Sequence, residues 1–425
     1  MNRFGLRSLG WLLCIIGFAA YVQHQMINTV FVESRNDFKH LYIAGYLAWH
    51  GGDMYDSEMM FRSANLLLSD DPNTPVAINP FVYPPFFALT LAPMTFLPYD
   101  AAWYLFNLFS HVAYLASLAL LVRCFRKDPE PETIWWGLLL IFSAAFFPLQ
   151  RSFWAGQMNT YLLLCLSASA YALHRNKEIQ AGFWLGLGAA IKVSPAFLLL
   201  FLLYKRKWKG FIAGMILVSA SVVVSIAMLG WEVHAEFIHE TRQMSYGSST
   251  WANVGQGAQF HIEPHNQAPS AVWYRFLTQS NKSIGIMDAP ALAKTMSYLT
   301  ALLIVSALIM VTRPRRDETQ LWEFSLWGVA MLLLPSLMWD HYLVQAMLAF
   351  ALALRIVFAG RARLIWLLAI AVWLCMVPYN YWLESRSVGW GVFFAAPKLY
   401  GLLCLSLFLL VNPFRVEDDD ATSDN

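Results

Sequence analysis

Apolar runs close to twenty residues long recur along the whole chain, separated by short polar breaks. A helix rising 1.5 Å per residue crosses the roughly 30 Å apolar core of a bilayer in about 20 residues, so such runs predict transmembrane helices. They fall at about 8–30, 100–123, 133–150, 158–174, 179–192, 194–205, 209–230, 290–312, 320–338, 342–359, 363–379 and 390–412. The pattern therefore predicts an all-α polytopic membrane protein with about 12 transmembrane helices. Two of the runs, 179–192 and 194–205, are short. They meet at Lys192-Val193-Ser194-Pro195, where the proline disfavours helix continuation. They read as a thin helical hairpin whose tip reaches only the outer half of the membrane. One bent helix in their place would move every later loop to the other side.

Charge sorting favours the hairpin. With the amino terminus inside, the cytoplasmic segments hold Arg3, Arg7, Arg123, Arg126, Lys127, Arg175, Lys177, Lys205, Arg206, Lys207 and Lys209. They continue with Arg313, Arg315, Arg316, Arg355, Arg361, Arg363 and Arg415, which makes 18 of the 29 basic residues in short segments. The other 11 are spread over much longer outer loops, as the positive-inside rule expects. Arg3 and Arg7 before an apolar core also fit a signal peptide. The apolar stretch resumes through Met26 to Val32, which favours an uncleaved anchor.

Composition agrees with this class: 58% of residues are hydrophobic and only 13% charged, about half the charge of a soluble domain. A soluble protein could not cover so much apolar surface. The net charge of +2 comes with no basic surface stripe, so nucleic acid is not an expected partner. The five cysteines lie in or beside apolar runs without a CxxC pair and read as packing residues. Residues 1–415 read as a single integral membrane domain, and the acidic stretch 416–425 as a disordered cytoplasmic tail. No repeat of 20–50 residues is visible, and no inverted halves, which weakens a transporter reading.

Two outer loops are long, about 31–99 and 231–289, and they carry short interfacial helices in this reading. Asp37 follows the first span closely. After it, Phe38, Leu41, Tyr42, Gly45, Tyr46 and Trp49 recur at helical spacing, predicting an amphipathic helix along the interface that Gly51-Gly52 ends. The bland role for Asp37 is to cap that helix. Tyr83-Pro84-Pro85 then opens a short apolar piece that fits a helix dipping into the outer leaflet, or a buried loop helix without chemistry. Further polar clusters sit at outer span ends: Gly156-Gln157-Met158-Asn159, Lys192, His265-Asn266-Gln267 and Trp339-Asp340-His341-Tyr342. A lone membrane-edge lysine usually snorkels to water, and Asp340-His341 alone reads as a helix start. Their convergence on one membrane face is what points to chemistry. A lipid phosphate at that depth needs a cation and amide or imidazole donors, and an attacking hydroxyl needs a carboxylate base. P-loop, GxGxxG, HExxH and GxSxG signatures are absent from the sequence, and no tight metal-binding carboxylate cluster is apparent.

The ordered set Asp37-Phe38 with its aromatic helix to Tyr55, Tyr83-Pro84-Pro85, Gly156-Gln157-Met158-Asn159, Ile191-Lys192-Val193-Ser194-Pro195, Asn266-Gln267 and Trp339-Asp340-His341-Tyr342 resembles a known family. It is similar to the bacterial polyprenol-phosphate-mannose-dependent mannosyltransferases of glycosyltransferase family eighty-seven, over about residues 30–400. The resemblance implies a C-type glycosyltransferase fold and an inverting transfer from a polyprenol-phosphate sugar to an envelope glycolipid or glycan hydroxyl. It implies no cofactor or metal, and it sets the reaction on the outer face of the cytoplasmic membrane. By position, Asp37 is the implied catalytic base. From the polar clusters, Tyr83, Gln157, Asn159, Lys192, Asn266, Gln267, Asp340 and His341 are the candidate substrate-binding set, with Lys192 and His341 the candidates for stabilising the leaving phosphate. The family's Asn-Gln-Ser is Asn266-Gln267-Ala268 here. Two alternatives remain open at the level of sequence. A lipid or polysaccharide flippase would keep its polar residues at mid-membrane, whereas a scaffold subunit would be indifferent to Asp37.

Overall fold

The computed structural model describes residues 3–31, 36–69, 75–127, 130–248, 260–312, 320–360, 362–378 and 386–414. The tail 416–425 and the basic residues Arg313, Arg315, Arg316, Arg361 and Arg415 lie outside the described residues. The described elements are helices. The only bridges among these residues are isolated ones, at Gln279 with Ile284 and at Ile284 with Val388.

Each apolar run carries a helix, but the lengths differ from expectation. Five helices are long and apolar enough to cross a membrane: Gly5–Val30, Tyr99–Phe125, Trp208–Leu229, Pro290–Val311 and Asp340–Phe358. The bent pairs Glu132–Ala145 with Phe147–Ala155 and Gly389–Ala395 with Pro397–Val411 raise the count to 7 if each is one span. The other runs form shorter helices, Asn159–His174, Glu178–Ile191, Ala196–Tyr204, Gln320–Leu333 and Ile365–Met376. Length and composition thus support a multi-pass membrane protein in which five to seven helices, among the described residues, are long and apolar enough to cross by themselves. Prolines explain much of the shortening. Pro195 separates the hairpin helices, and Pro335 follows the end of Gln320–Leu333.

The run 133–150 is not one straight helix: it bends by 66° around Phe146. Pro148 has no N–H to donate to the carbonyl of Ala144, which is left without its helical partner. Gln25 supplies the missing donor. It lies in the π-helical turn Val22–Ile27, and its Nε2 donates to the carbonyls of Ser143 at 2.8 Å and Ala144 at 3.2 Å. A buried polar side chain from one span thus satisfies the break in another, as an apolar solvent requires.

Glu178–Ile191 packs backbone to backbone on Trp208–Leu229. A Cβ on Gly182 would lie 1.7 Å from the Gly210 carbonyl oxygen, and one on Gly186 would lie 2.7 Å from that of Gly214. Two small-xxx-small pairs thus face each other and fix the register of the hairpin's first helix.

The segment after the first span departs from the expectation of an interfacial helix. Helix Asn36–His50 ends as expected: Gly51 adopts φ +75°, and the Gly52 N–H reaches the Leu47 carbonyl at 2.8 Å. However, Phe38, His40, Leu41, Ile43, Ala44 and Leu47 are all buried, so the helix is enclosed rather than laid on a surface. It belongs to a second hydrophobic core, apart from the larger one around Tyr114, Trp135 and Phe201, and its neighbours there include Phe81, Tyr83, Phe87, Trp103 and Phe106. Pro85–Leu91, continued by the 3-10 turn Ala92–Phe96, forms the short helix after Tyr83.

Candidate active site

A cavity of about 360 Å³ opens where helix Asn36–His50, the segment around Tyr83, the turn after Phe147–Ala155, the loop around Glu263 and the start of Asp340–Phe358 meet. Polar groups lining it are Asn36, Asp37, His40, Asn79, Tyr83, Arg151, Gln157, Glu263, His265, His341 and Tyr342. Trp154, Phe260 and Trp339 add flat apolar faces of the kind that pack against sugar rings.

Asp37 stands in the first turn of its helix, and its Oδ1 accepts a 3.0 Å hydrogen bond from Asn79 Nδ2. One turn on, His40 stacks on Tyr83 with centroids 6.1 Å apart. Neither of its ring nitrogens has a hydrogen-bond partner among the described residues. Burial pushes the imidazole down to about 4, with Asp37 offsetting part of the shift, so the ring is neutral at ordinary pH. Tyr83 is 3% exposed and donates from its hydroxyl to Gln157 Oε1 at 3.1 Å. Its phenol is pushed well above the usual range, first by burial, and stays a neutral donor.

Gln157 reaches this position because Gly156 turns the chain at φ +76°. A Cβ there would lie 2.6 Å from Phe38 Cβ and 2.8 Å from the Trp103 ring. Only glycine lets the turn close against the Asp37 helix. Asn159 lies deeper and does not line the cavity. Its Nδ2 donates to Ser152 Oγ at 3.3 Å, and its Oδ1 accepts from Gln345 Nε2 at 3.2 Å.

Asp340 lies 3.1 Å from Arg151 Nε and accepts the His341 backbone N–H at 2.9 Å. It is not itself a lining residue; it carries Arg151 and His341, which are. His341 Nδ1 sits 3.5 Å from Asp340 Oδ1. The Lys192 ammonium is held on aromatic faces, 3.6 Å from the Tyr342 ring centroid and 5.7 Å from that of Tyr83.

Asn266 and Gln267 are not brought to the cavity. Both are buried and engaged with backbone. Asn266 Nδ2 donates to the Phe260 and Ser336 carbonyls, while its Oδ1 accepts from the Ala268 and Met338 N–H groups. Gln267 Nε2 donates to the Pro264 and Ala395 carbonyls, and its Oε1 accepts from the Lys398 N–H. They clasp the second long loop to the segments 336–338 and 395–398. That clasp presents Glu263, whose carboxyl is held below the usual range chiefly by a hydrogen bond from His265, with Lys282 also lowering it.

Sequence reasoning missed His40, Asn79, Arg151 and Glu263 as lining residues. The i+3 offset of His40 from Asp37 on a helix was an available signal. The other three meet the cavity only through long-range packing. Glu236, His239 and Glu240 on helix Trp231–Gln243 form a metal-type cluster among the described residues. Gln243 Nε2 already bonds His239 and Glu240, and none of the three lines the cavity.

The sequence matches the model of glycosyltransferase family 87 over residues 81–336. It is 25% identical over 291 residues to a polyprenol-phosphate-mannose-dependent alpha-(1-2)-phosphatidylinositol mannoside mannosyltransferase of Mycobacterium tuberculosis, covering 64% of each chain. It is 23% identical over 360 residues to a phosphatidylinositol pentamannoside mannosyltransferase of the same type from another strain of that organism, covering 83% of this chain and 69% of the relative. The chain thus spans less than two thirds of the length of the first of these relatives. Among solved structures, ArnT from Cupriavidus metallidurans bound to undecaprenyl phosphate aligns with 96% of this chain and 77% of its own, at 11% identity and a TM-score of 0.41. The family match takes in more than half of the sequence and includes Tyr83, Gln157, Lys192 and Asn266: the chain belongs to glycosyltransferase family 87.

Proposed function

We propose that this protein transfers a sugar, mannose in the first instance, from a polyprenol-phosphate donor to a hydroxyl of an envelope glycolipid or glycan. The observation that carries the reading is the cavity itself. A carboxylate, Asp37, lines the same space as Arg151 and His341, with the Lys192 ammonium at its edge. A carboxylate base together with a guanidinium, an imidazole and an ammonium around one space is what displacement of a phosphate by an alcohol needs.

In this reaction the acceptor oxygen attacks the anomeric carbon while the bond from that carbon to the phosphate oxygen breaks. The electron pair leaves with the polyprenyl monophosphate, and Asp37 takes the acceptor proton. A single displacement from a β-linked donor yields an α-linked product. Arg151, Lys192 and His341 face the charge that grows on the phosphate, Tyr83 and Gln157 orient substrate hydroxyls, and Asn159, Asn266, Gln267 and Asp340 support the walls. The shorter helices complete twelve crossings of the cytoplasmic membrane, in a C-type glycosyltransferase arrangement with residues 1–415 as one domain. The basic segments and both termini face the cytoplasm, and the cavity faces outward.

The test is transfer by the purified protein from polyprenol-phosphate mannose and from a nucleotide sugar, each with and without EDTA. Turnover with the lipid donor alone, persisting in EDTA, is expected. Efficient transfer from the nucleotide sugar, or a strict divalent-metal requirement, overturns the reading.

A further inference from the structure

Among the described residues, Arg151, Lys282 and Lys192 are basic side chains at or beside the cavity, and the first two face carboxylates. Arg151 lies 3.1 Å from Asp340, and Lys282, beside the rim, lies 3.4 Å from Glu263. Lys192 forms no ion pair among the described residues. Its ammonium lies over the face of Tyr342, 3.6 Å from the centroid, with Tyr83 as a second ring at 5.7 Å. Both rings line the cavity. The Tyr342 hydroxyl makes no hydrogen bond among the described residues, so the ring face is the part of this side chain with a defined partner.

The difference between a ring and a carboxylate is electrostatic. A carboxylate cancels the charge that it holds. An aromatic face attracts a cation through its quadrupole but carries no net charge, so whatever charge the ammonium carries is left uncancelled. The ring also restrains a flexible four-carbon stem. Lys192 sits in the turn between Glu178–Ile191 and Ala196–Tyr204; burial pushes its ammonium down to about 7, and the Asp37 carboxylate offsets part of that shift, so an arriving phosphate would hold the proton on. Closing onto Asp37 would neutralise the cation and occupy the base at once.

We propose that the face of the Tyr342 ring is a positioning element that holds the Lys192 ammonium beside the cavity, apart from Asp37, as an uncancelled charge for the departing phosphate. The inference rests on the transfer reading above. It assigns the role to the ring and not to the hydroxyl, and it makes Tyr342 act through Lys192.

The experiment replaces Tyr342 by phenylalanine and by a series of increasingly fluorinated phenylalanines, which drain the ring face at nearly constant shape. Each is made alone and with Lys192→Met. Turnover and the KM for polyprenol-phosphate mannose are measured for every variant. The expected result is a stepwise fall of about 3- to 30-fold in kcat/KM across the series, with no dependence on fluorination once Lys192 is Met. Tyr342→Leu falls at least as far, and Tyr342→Phe recovers most of that loss. A flat series, or a fluorination effect that survives Lys192→Met, overturns the inference while leaving the transfer reading intact. Wild-type protein that does not use the lipid donor overturns the transfer reading itself.

Discussion

The two ends of the helical assembly handle charge differently. At the end where Glu178–Ile191 begins and Ala196–Tyr204 finishes, buried ions are paired across elements. Lys205 lies 2.6 Å from Glu323, with both side chains almost fully buried. Lys207 lies 3.6 Å from Glu178, and Arg355 lies 2.6 Å from Glu130. At the other end, around the cavity, Arg151 and Lys282 also face carboxylates, but Lys192 rests on rings, and His40 and His341 keep ring nitrogens without hydrogen-bond partners among the described residues. Pairing suits a structure that only has to hold together, because a buried ion without its partner is costly. Polar groups left without partners suit a site that waits for the polar groups of something else.

The largest effect that would sharpen this contrast is on turnover. Asp37→Asn keeps size and can still accept from Asn79, but it removes the proton acceptor. Turnover should fall by about 10²–10⁴-fold, with the melting temperature in detergent little changed. Near-normal turnover would remove Asp37 from the mechanism and move the search to Glu263, another carboxylate of the cavity. At the opposite end the same kind of change should act on stability instead. Lys205→Met takes the 2.6 Å ammonium partner from the buried Glu323 carboxylate and should cost up to about 3–5 kcal/mol in unfolding experiments, while turnover per folded molecule holds. Adding Glu323→Met should restore most of the loss, because an apolar pair is tolerated where half an ion pair is not. A loss of turnover without a loss of stability would break the comparison.

The third effect is a pH dependence. Burial holds the folded His40 imidazole at about 4, below its ordinary 6.5, so the unfolded chain binds the proton first as pH falls. Stability from this group is therefore fully present above about pH 6.5 and lost as pH drops toward 4, by about 3 kcal/mol at most. Melting curves of wild type and His40→Phe between pH 7 and 4 isolate it. The wild type should lose more over that interval than the variant. Parallel curves would mean that His40 is reached by solvent or by a partner group.

The positions of the helices were legible because twenty-residue apolar runs have one stable solution in lipid. Their lengths were less so. The break at Phe146 depends on Pro148 and also on Gln25, a residue more than a hundred positions away that makes the break tolerable. In the site, Asp37, Tyr83, Gln157 and His341 were readable as polar residues at span ends, and they line one cavity. Asn266 and Gln267 carry the same kind of motif yet engage backbone, which no spacing reveals, since an amide bonds a substrate and a carbonyl in the same way. His40 was hidden in a helix read as aromatic and interfacial. The enclosing second core, formed by segments far apart in the chain, is what turns it into a buried imidazole.

The glycine seam between Glu178–Ile191 and Trp208–Leu229 has a consequence for tolerance. Lys192 follows the last residue of the first of these helices, six residues or about 9 Å of helical rise beyond Gly186. The depth at which the ammonium is delivered is thus gauged from a contact between two backbones rather than from the fit of side chains. A side-chain interface can drift by repacking. A backbone stop cannot, since even one methyl group at Gly182 forces the helices apart. The seam works as a datum surface works in a machine: the parts around it can vary, and the working point stays at its measured height.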